Sequence, residues 1–404
     1  MVREGVHDGL FTAHDDEPNW GKAHRVLTPA FGPLQIQAMF GDMHDIASQL
    51  CMKLARYGSQ TSFDASEDFT RLALDTLALC AMDYRFNSFY REDMHPFVQA
   101  MGDFLTEAGQ RNRRPSFAPN FLYRAANEKY ARDIAIMRDT ADGVVANRKK
   151  NPSDRKDLLN AMLNGVDRVT GERLSDENIT HQLITFLIAG HETTSGLLSF
   201  AFYHLLKHPA AYRKLQQEVD EVVGREAIRP KHLSKLPYLA SVLRETLRLT
   251  SGIPAFSVEA YEDTLLAGKY LVHKGEPITV FLLKAHVDPA VFGEDALEFK
   301  PERMSDDNFR RLNDEFPNCW KAFGNGKRAC IGRPFAWQEA LLCAAMLMQN
   351  FNFTMADPSY HLEMQETLTV KPKGFRMRAS LRHGLTPAEL ERAIAGGAGG
   401  AGGG

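Results

Sequence analysis

The 404-residue chain lacks several features that would assign it to other common classes of protein. It has no apolar run near the roughly 20 residues that cross a bilayer; the nearest candidate, residues 183–190, is followed at once by His191 and Glu192. It has no excess of positive charge, with a net charge of −3, so no nucleic-acid partner is expected. It also has no apolar leader at its start, and we expect a protein without a membrane span.

Paired cysteines are lacking as well. The cysteines are odd in number and scattered, without the spacing of a zinc site or of a disulfide framework. This usage is typical of a reducing compartment, so the sequence predicts a cytoplasmic location. The five residues are Cys51, Cys80, Cys319, Cys330 and Cys343.

What the chain does have is helical periodicity, which predicts a mainly α protein with small β-sheets. The predicted helices include residues 36–55, 69–82, 128–149, 177–207, 210–223 and 236–250. Short β-rich segments predict strands at residues 264–270, 277–282, 367–370 and 376–381, and the polar residues 111–120 predict a surface loop. We assign residues 1–384 to one domain and residues 385–404, which end in alanine and glycine, to a flexible tail or linker.

The most informative stretch of the sequence is residues 323–332, which set Cys330 among glycines just before an apolar helical run. A thiolate that ligates iron needs nearby positive potential and a backbone that can approach a flat ring. Gly326 and Gly332 remove side chains where the loop must turn, and Arg328 can donate to a carboxylate such as a haem propionate. The alternative is an ordinary buried free cysteine.

A second motif lies inside the predicted helix 177–207, where Ala189 and Thr193 share one face four residues apart. A threonine in mid-helix can donate to the carbonyl oxygen four residues earlier and bend the helix. Gly190 would let a flat ligand or dioxygen come close. The alternative is a threonine that is merely tolerated there.

Two further pairs of residues are candidates for roles at the same site. Trp20 and His24 lie four apart on a predicted helix and could both donate to one anion, although such a pair more often only packs. Glu245 and Arg248 lie three apart, a spacing that by itself indicates a weak surface ion pair.

Taken together, these motifs resemble the cytochrome P450 family. The sequence around residues 323–332 is similar to its haem-binding signature, and residues 189–194 resemble its oxygen-activation segment. Over nearly the whole chain the resemblance is closer to a narrower group, the soluble fatty-acid hydroxylases of bacteria and fungi whose P450 domain is fused to an NADPH-dependent flavin reductase.

The resemblance implies a role for each candidate residue. Cys330 would be the axial thiolate ligand of haem b, while Thr193, its neighbour Glu192 and Ala189 would form the oxygen-activation site. The other haem-binding residues would be Arg328, Phe323, Gly326, Gly332, Trp20 and His24. The substrate pocket would be lined by Phe11, Ile188, Ile253, Ala255 and Leu368. Glu245, Arg248 and Arg303 would form a structural triad, with Met304 in place of the usual aromatic residue.

The implied activity is hydroxylation of unactivated C–H bonds at subterminal positions of a fatty acid. The oxidant would be O2, with electrons from NADPH through the FMN and FAD of a reductase partner. The resemblance begins well inside the family's fold, so we expect a truncated P450 fold without its N-terminal helices and most of its main sheet, and with apolar surface exposed. Two alternatives remain: a haem-thiolate enzyme that uses peroxide or a hydroperoxide, and an inactive haem-binding fragment.

Overall fold

A computed structural model describes residues 2–111, 114–115 and 119–395 of the chain. The α-helices are α1 Arg3–Val6, α2 Pro18–Leu27, α3 Pro33–Ala38, α4 Phe40–Tyr57, α5 Ala65–Met82, α6 Pro96–Arg111, α7 Arg124–Lys150, α8 Leu158–Asn164, α9 Asp176–Lys207, α10 Pro209–Val222, α11 Pro230–Leu233, α12 Pro237–Leu249, α13 Leu282–Ala285, α14 Pro289–Phe292, α15 Asp306–Glu315, α16 Arg333–Asn350 and α17 Pro387–Ala395. Short 3-10 helices occur at Thr28–Phe31, Ser88–Tyr90, Asn120–Tyr123, Pro301–Met304 and Gly326–Arg328. Residues 112–113 and 116–118 of the predicted loop lie outside the described residues.

In the part of the chain that the structure describes, the strands form one sheet of three strands and three sheets of two strands, all antiparallel. They are β1 Ser62–Asp64, β2 Ala255–Glu259, β3 Thr264–Leu266, β4 Tyr270–Val272, β5 Pro277–Phe281, β6 Phe351–Met355, β7 Met364–Glu366, β8 Val370–Pro372 and β9 Arg376–Leu381. The larger sheet has the order β1-β9-β6, and the pairs are β2-β5, β3-β4 and β7-β8. The predicted class, mainly α with small β-sheets, is therefore confirmed.

The core is built around α5 and α9, which pack against one another. Residues 68–82 of α5 are all buried, and so are residues 178–188 of α9. Helices that are buried on every side lie in the centre of a domain, where neighbouring elements cover them. Among the described residues, no helix has the length and apolar content that a bilayer span requires.

The strand predictions were correct in part. Strand β9 has the predicted bounds, whereas residues 264–270 form most of a hairpin, with Ala267 at a positive φ of 53° in the turn between β3 and β4. The strand predicted at residues 367–370 is wrong, because the Thr367 amide donates to the carbonyl oxygen of Thr369 (2.9 Å) in the turn before β8. Composition indicated β structure in this region but could not locate the turn.

The two small sheets β2-β5 and β3-β4 expose apolar side chains, as we expected for some part of the surface. The residues concerned are Val258, Leu265, Leu266, Tyr270, Leu271 and Phe281. Within the described part of the chain, each of these four strands pairs along one edge only. An exposed apolar strand with a free edge favours association with other chains.

The predicted tail requires a correction, because part of residues 385–404 is helical. Helix α17 packs on α4 through Leu390 and Ile394, which lie four residues apart on one face and are buried. A capping box begins the helix: the Thr386 amide donates to Glu389 Oε2 (2.8 Å), and the Glu389 amide donates to Thr386 Oγ1 (3.3 Å). Residues 396–404 lie outside the described residues.

Helix α17 gives the first prediction. Replacing the fully buried Leu390 by alanine removes apolar packing against α4 and should lower the free energy of unfolding by about 3 kcal/mol. Urea unfolding followed by circular dichroism measures the change. The exposed neighbour Glu391→Ala is the control and should change it by less than about 0.5 kcal/mol. Equal effects of the two substitutions would show that α17 does not pack as described.

Candidate functional site

Residues 323–332 form a tight loop immediately before α16. The Cys330 amide donates to the Phe323 carbonyl oxygen (2.8 Å), which closes the loop. Gly324 and Gly326 have positive φ angles of 68° and 63°, a conformation that residues with a side chain rarely adopt. Gly332 differs from our expectation, since its φ is −80° and the turn does not require glycine there. A Cβ at this position would lie 3.9 Å from the Cys330 sulfur.

Cys330 is the only exposed residue among the five cysteines, all of which the structure describes. Its sulfur is nevertheless surrounded by enough protein to raise the pKa of the thiol, while the backbone amides of Gly332 and Arg333 donate toward it and act in the opposite direction. Burial therefore favours the neutral thiol, and the two amides are in place to stabilise a thiolate. A metal ion that binds such a sulfur displaces its proton.

Helix α9 has an open face at the expected motif. Ala189 is exposed and Thr193 is half-buried, although most of the helix is buried. Thr193 Oγ1 donates to the Ala189 carbonyl oxygen (2.9 Å), which is the predicted bond to the preceding turn. Gly190 requires a correction: a Cβ there would lie 2.7 Å from Leu77 Cδ2 of α5, so glycine permits close packing of two helices.

Glu192 is hydrogen-bonded to strand β8 and to the turn before it. Its carboxylate accepts hydrogen bonds from Lys371 Nζ (2.7 Å) and Thr369 Oγ1 (2.8 Å), and His191 Nε2 lies 3.3 Å from it. Burial raises the pKa of Glu192, but the bond from His191 and the charge of Lys371 outweigh burial and hold the pKa well below its ordinary value. Glu192, which we expected in the oxygen-activation site, is therefore ionised and fixed in place.

Trp20, His24 and Arg328 come together as the motifs suggested. The indole and imidazole rings stack with centroids 5.1 Å apart, and the Arg328 guanidinium lies 5.1 Å from the Trp20 ring. Arg328 Nη2 donates to the Ala13 carbonyl oxygen (2.9 Å), so this side chain also holds the backbone of residues 11–13. Burial and the positive charges of two neighbouring arginines lower the pKa of His24, which favours its neutral form.

Glu245, Arg248 and Arg303 also meet. Arg248 forms a bidentate pair with Glu245, with two distances of 2.8 Å, and both side chains are 0% exposed. Arg303 Nε lies 3.5 Å from Glu245 Oε1. Met304 is fully buried and fills the apolar position of the missing aromatic residue.

Four of the five predicted pocket residues lie on accessible surface. Phe11 is 53% exposed, and Ile253, Ala255 and Leu368 are partly exposed. Ile188 differs from the others, because it is buried within the hydrophobic core. The structure thus leaves four apolar side chains available to a ligand.

A backbone hydrogen bond and the position of Gly252 bring these pocket segments to the open face of α9. The Val370 amide donates to the Gly252 carbonyl oxygen (2.9 Å), which joins strand β8 to the loop that carries Ile253. A Cβ on Gly252 would lie 3.8 Å from the Thr193 carbonyl oxygen. Ile253 and the turn that carries Leu368 are therefore close to Thr193 in space.

Comparison with known families agrees with this geometry. Residues 3–379 match the family model described as cytochrome P450. The chain belongs to the cytochrome P450 family. It is 70% identical, over 396 residues, to a bifunctional cytochrome P450/NADPH–P450 reductase of Fusarium oxysporum, and 57% identical over 400 residues to a protein of the same name in Aspergillus oryzae. It is also 55% identical to a self-sufficient cytochrome P450 monooxygenase of Exserohilum turcicum over 390 residues.

The alignments cover 98%, 97% and 96% of this cytochrome P450 but only 37%, 36% and 36% of the three relatives. The chain thus spans little more than a third of their length. The family binds haem through a cysteine thiolate, and the residues present fit that group. Cys330 is exposed and has two amides directed at its sulfur, and α9 leaves Ala189 uncovered.

Two ion-pair partners and one buried carboxyl group in this cytochrome P450 were missed by sequence reasoning. Lys371 pairs with Glu192 from 179 positions away, and Asp15 pairs with Lys327 (2.6 Å) in the cysteine loop. Glu339 of α16 is completely buried, which raises the pKa of its carboxyl group well above the ordinary value. Neither oxygen of Glu339 has a hydrogen-bond partner in good geometry among the described residues. A glutamate soon after the cysteine loop is visible in the sequence as a charged residue in an apolar stretch, but its complete burial is not.

The ion pair of Glu192 predicts how stability depends on pH. Because the pKa of Glu192 is lower in the folded protein than the 4.5 expected on unfolding, its stabilisation is present above about pH 4.5 and is lost as pH falls below it. We expect Glu192→Gln to flatten the acid side of the stability curve, measured by urea unfolding from pH 3 to 7.

The exposed Glu363→Gln is the matched control and should keep the slope of the unmodified protein. If Glu192→Gln and the unmodified chain lose stability in parallel below pH 4.5, Glu192 is not held ionised by its neighbours.

Proposed function

We propose that this cytochrome P450 is a haem-thiolate monooxygenase that hydroxylates fatty acids at subterminal carbons. The observation that carries the proposal is the position of residues 8–13 between the two motifs. The Leu10 amide donates to Gln182 Oε1 of α9 (2.9 Å), and the Ala13 carbonyl oxygen accepts from Arg328 of the cysteine loop (2.9 Å). One short segment thus joins the cysteine loop to α9 and carries the exposed Phe11 between them.

Haem, when bound, would supply the activation of O2. Cys330 would hold the haem iron through its thiolate, with the amides of Gly332 and Arg333 stabilising its charge. The Thr193 hydroxyl would hold and pass on a proton at Oγ1, for which it must leave its bond to the carbonyl oxygen of the preceding turn. Glu192 would act as a fixed carboxylate that positions α9, because its lysine partner on β8 keeps it ionised.

Trp20, His24 and Arg328 would hold the propionates of the haem. Their support comes from the stacked rings and the guanidinium beside them. Arg328 is always charged, whereas the lowered pKa of His24 makes it a neutral donor. Phe323 and Gly326 would give the loop its shape, through the hydrogen bond that closes it and the turn with positive φ. Gly332 would leave free the space beside the Cys330 sulfur.

The substrate would be oriented by apolar contacts. Phe11, Ile253, Ala255 and Leu368 offer a surface without charged groups of their own, which suits an alkyl chain. Binding there would exclude water and present a C–H bond in a fixed position. Ile188 would support this wall from the core.

Electrons would come from a flavin reductase. Two relatives are named as bifunctional proteins with an NADPH–P450 reductase, and each is much longer than this chain. We therefore propose FMN, FAD and NADPH as the route of electron supply, carried by a partner domain or protein.

The thiolate assignment predicts a spectrum. After loading with haem, reduction and exposure to carbon monoxide, the chain should show the red-shifted absorbance band of a thiolate-ligated haem. Cys330→Ala should abolish that band, because three of the other cysteines are buried and the Cys319 thiol is directed to the Leu312 carbonyl oxygen (3.6 Å). The control Cys319→Ala should keep it. A band that survives Cys330→Ala would overturn the assignment.

The proton role of Thr193 predicts uncoupling. With a reductase and NADPH, Thr193→Ala should form product at least about tenfold more slowly, while NADPH consumption continues and hydrogen peroxide accumulates. Product and peroxide are measured in the same reaction. Ser199→Ala, which also removes a hydroxyl that donates within α9, is the control and should remain coupled.

The same assay separates the peroxide-using alternative. Faster product formation with added peroxide than with NADPH and reductase, and no effect of Thr193→Ala, would contradict the O2-dependent reaction.

A further inference from the structure

Helix α9 carries a stripe of four buried polar side chains one to three turns before the open face at Ala189. The stripe consists of Asn178, His181, Gln182 and Thr185, which have the i, i+3, i+4, i+7 spacing of a single helix face. Each is at least nine-tenths buried. Polar groups in such positions need partners within the protein, since unpaired burial is costly.

Three members of the stripe have partners in residues 8–10. Asn178 Nδ2 donates to the Asp8 carbonyl oxygen (3.3 Å), and His181 Nδ1 lies 2.6 Å from Asp8 Oδ1. Gln182 Oε1 accepts from the Leu10 amide at 2.9 Å. Three polar groups on one face of the helix therefore bind one short piece of backbone and its single carboxylate.

The fourth member of the stripe, Thr185, determines how closely residues 8–10 approach α9. A Cβ on Gly9 would lie 2.1 Å from Thr185 Oγ1 and 3.1 Å from the His181 carbonyl oxygen. The segment can therefore rest on α9 only because residue 9 has no side chain. The ring of His7 stacks on His181 with a centroid distance of 4.8 Å and extends the contact by one residue.

The other end of the segment is held by the cysteine loop. Arg328 Nη2 donates to the Ala13 carbonyl oxygen (2.9 Å) and lies 3.5 Å from that of Phe11. Phe11 is thus the exposed residue between two anchored ends, one on α9 and one beside Cys330. A side chain carried on a backbone that is fixed at both ends has few orientations available.

We propose that Asn178, His181, Gln182 and Thr185 are positioning residues that clamp residues 8–10 to α9 and so determine where Phe11 stands over bound substrate. The clamp acts through Phe11 and contacts neither substrate nor cofactor. This inference rests on the proposed function, because it assigns the stripe a part in choosing which carbon of the chain is hydroxylated. Loosening the clamp widens the range of positions of Phe11 and hence the range of products.

The test uses Gln182→Leu, which keeps a buried side chain of similar volume and removes the acceptor of the Leu10 amide. Two quantities are measured on the haem-loaded chain: hydrogen exchange of the amides of residues 8–13, and the distribution of hydroxylated products from one saturated fatty acid supplied with reductase and NADPH. We expect exchange at Leu10 to rise about tenfold, as for the loss of one structural hydrogen bond, and the products to spread over more positions.

Ser199→Ala is the control, since it also removes a buried hydrogen bond from α9 but lies far along the helix from the stripe. It should leave both quantities unchanged. A double-mutant cycle with Phe11→Ala tests the route: if Gln182 acts through Phe11, Gln182→Leu should not shift the products of the Phe11→Ala protein any further.

The outcomes are distinct. Faster exchange at residues 8–13 with an unchanged product distribution overturns the proposal, and so does a product shift that persists undiminished without Phe11. Unchanged exchange in Gln182→Leu shows that the clamp does not hold the segment. Should the unmodified chain form no hydroxylated fatty acid, the proposed function fails, while the exchange data still decide whether the clamp exists.

Discussion

Helix α9 is buried along most of its 32 residues, so nearly every polar side chain on it must find a partner inside the protein. That constraint organises the site. The early turns bind residues 8–10, Glu192 binds Lys371 of β8, and Ser195 accepts from Thr70 of α5. Segments that are distant in sequence meet on one rigid support because the helix offers each of them a hydrogen bond that water cannot supply. The apolar contacts with α5 keep the support in the core.

A second buried group secures the region that leads to the cysteine loop. Arg248 forms its pair with Glu245 and also donates to the carbonyl oxygens of His286 and Ala296. Since an isolated buried charge is very unfavourable, the guanidinium and the carboxylate require one another. Together they tie α12 to the irregular chain between α13 and α15. The Lys321 amide donates to His286 Nε2 (2.9 Å), so the chain that enters the loop around Cys330 is joined to this region, although the loop itself is largely exposed.

Local patterns in the sequence predicted the structural features that depend on residues close in sequence or on a single residue type. The bond from Thr193 to Ala189 joins residues four apart, and the turn at Gly326 needs a positive φ that glycine supplies. Partners far along the chain could not be predicted, because Lys371 reads as an ordinary surface lysine until the fold brings it to α9. Thr386 and Glu389 have the spacing of a capping box, but we did not recognise it in the sequence, where the glycine-rich end that follows favoured a tail.

The close approach at Gly9 has a consequence for protein engineering. Variation at position 11 changes a side chain that faces open space, so the fold can accept residues of many sizes there. Variation at position 9 forces atoms into Thr185 and moves the whole segment away from α9. In a library that diversifies both positions, most members will therefore fail because of the substitution at position 9. If Gly9 is kept, the side chain at position 11 can be varied while the backbone that carries it stays in place on α9.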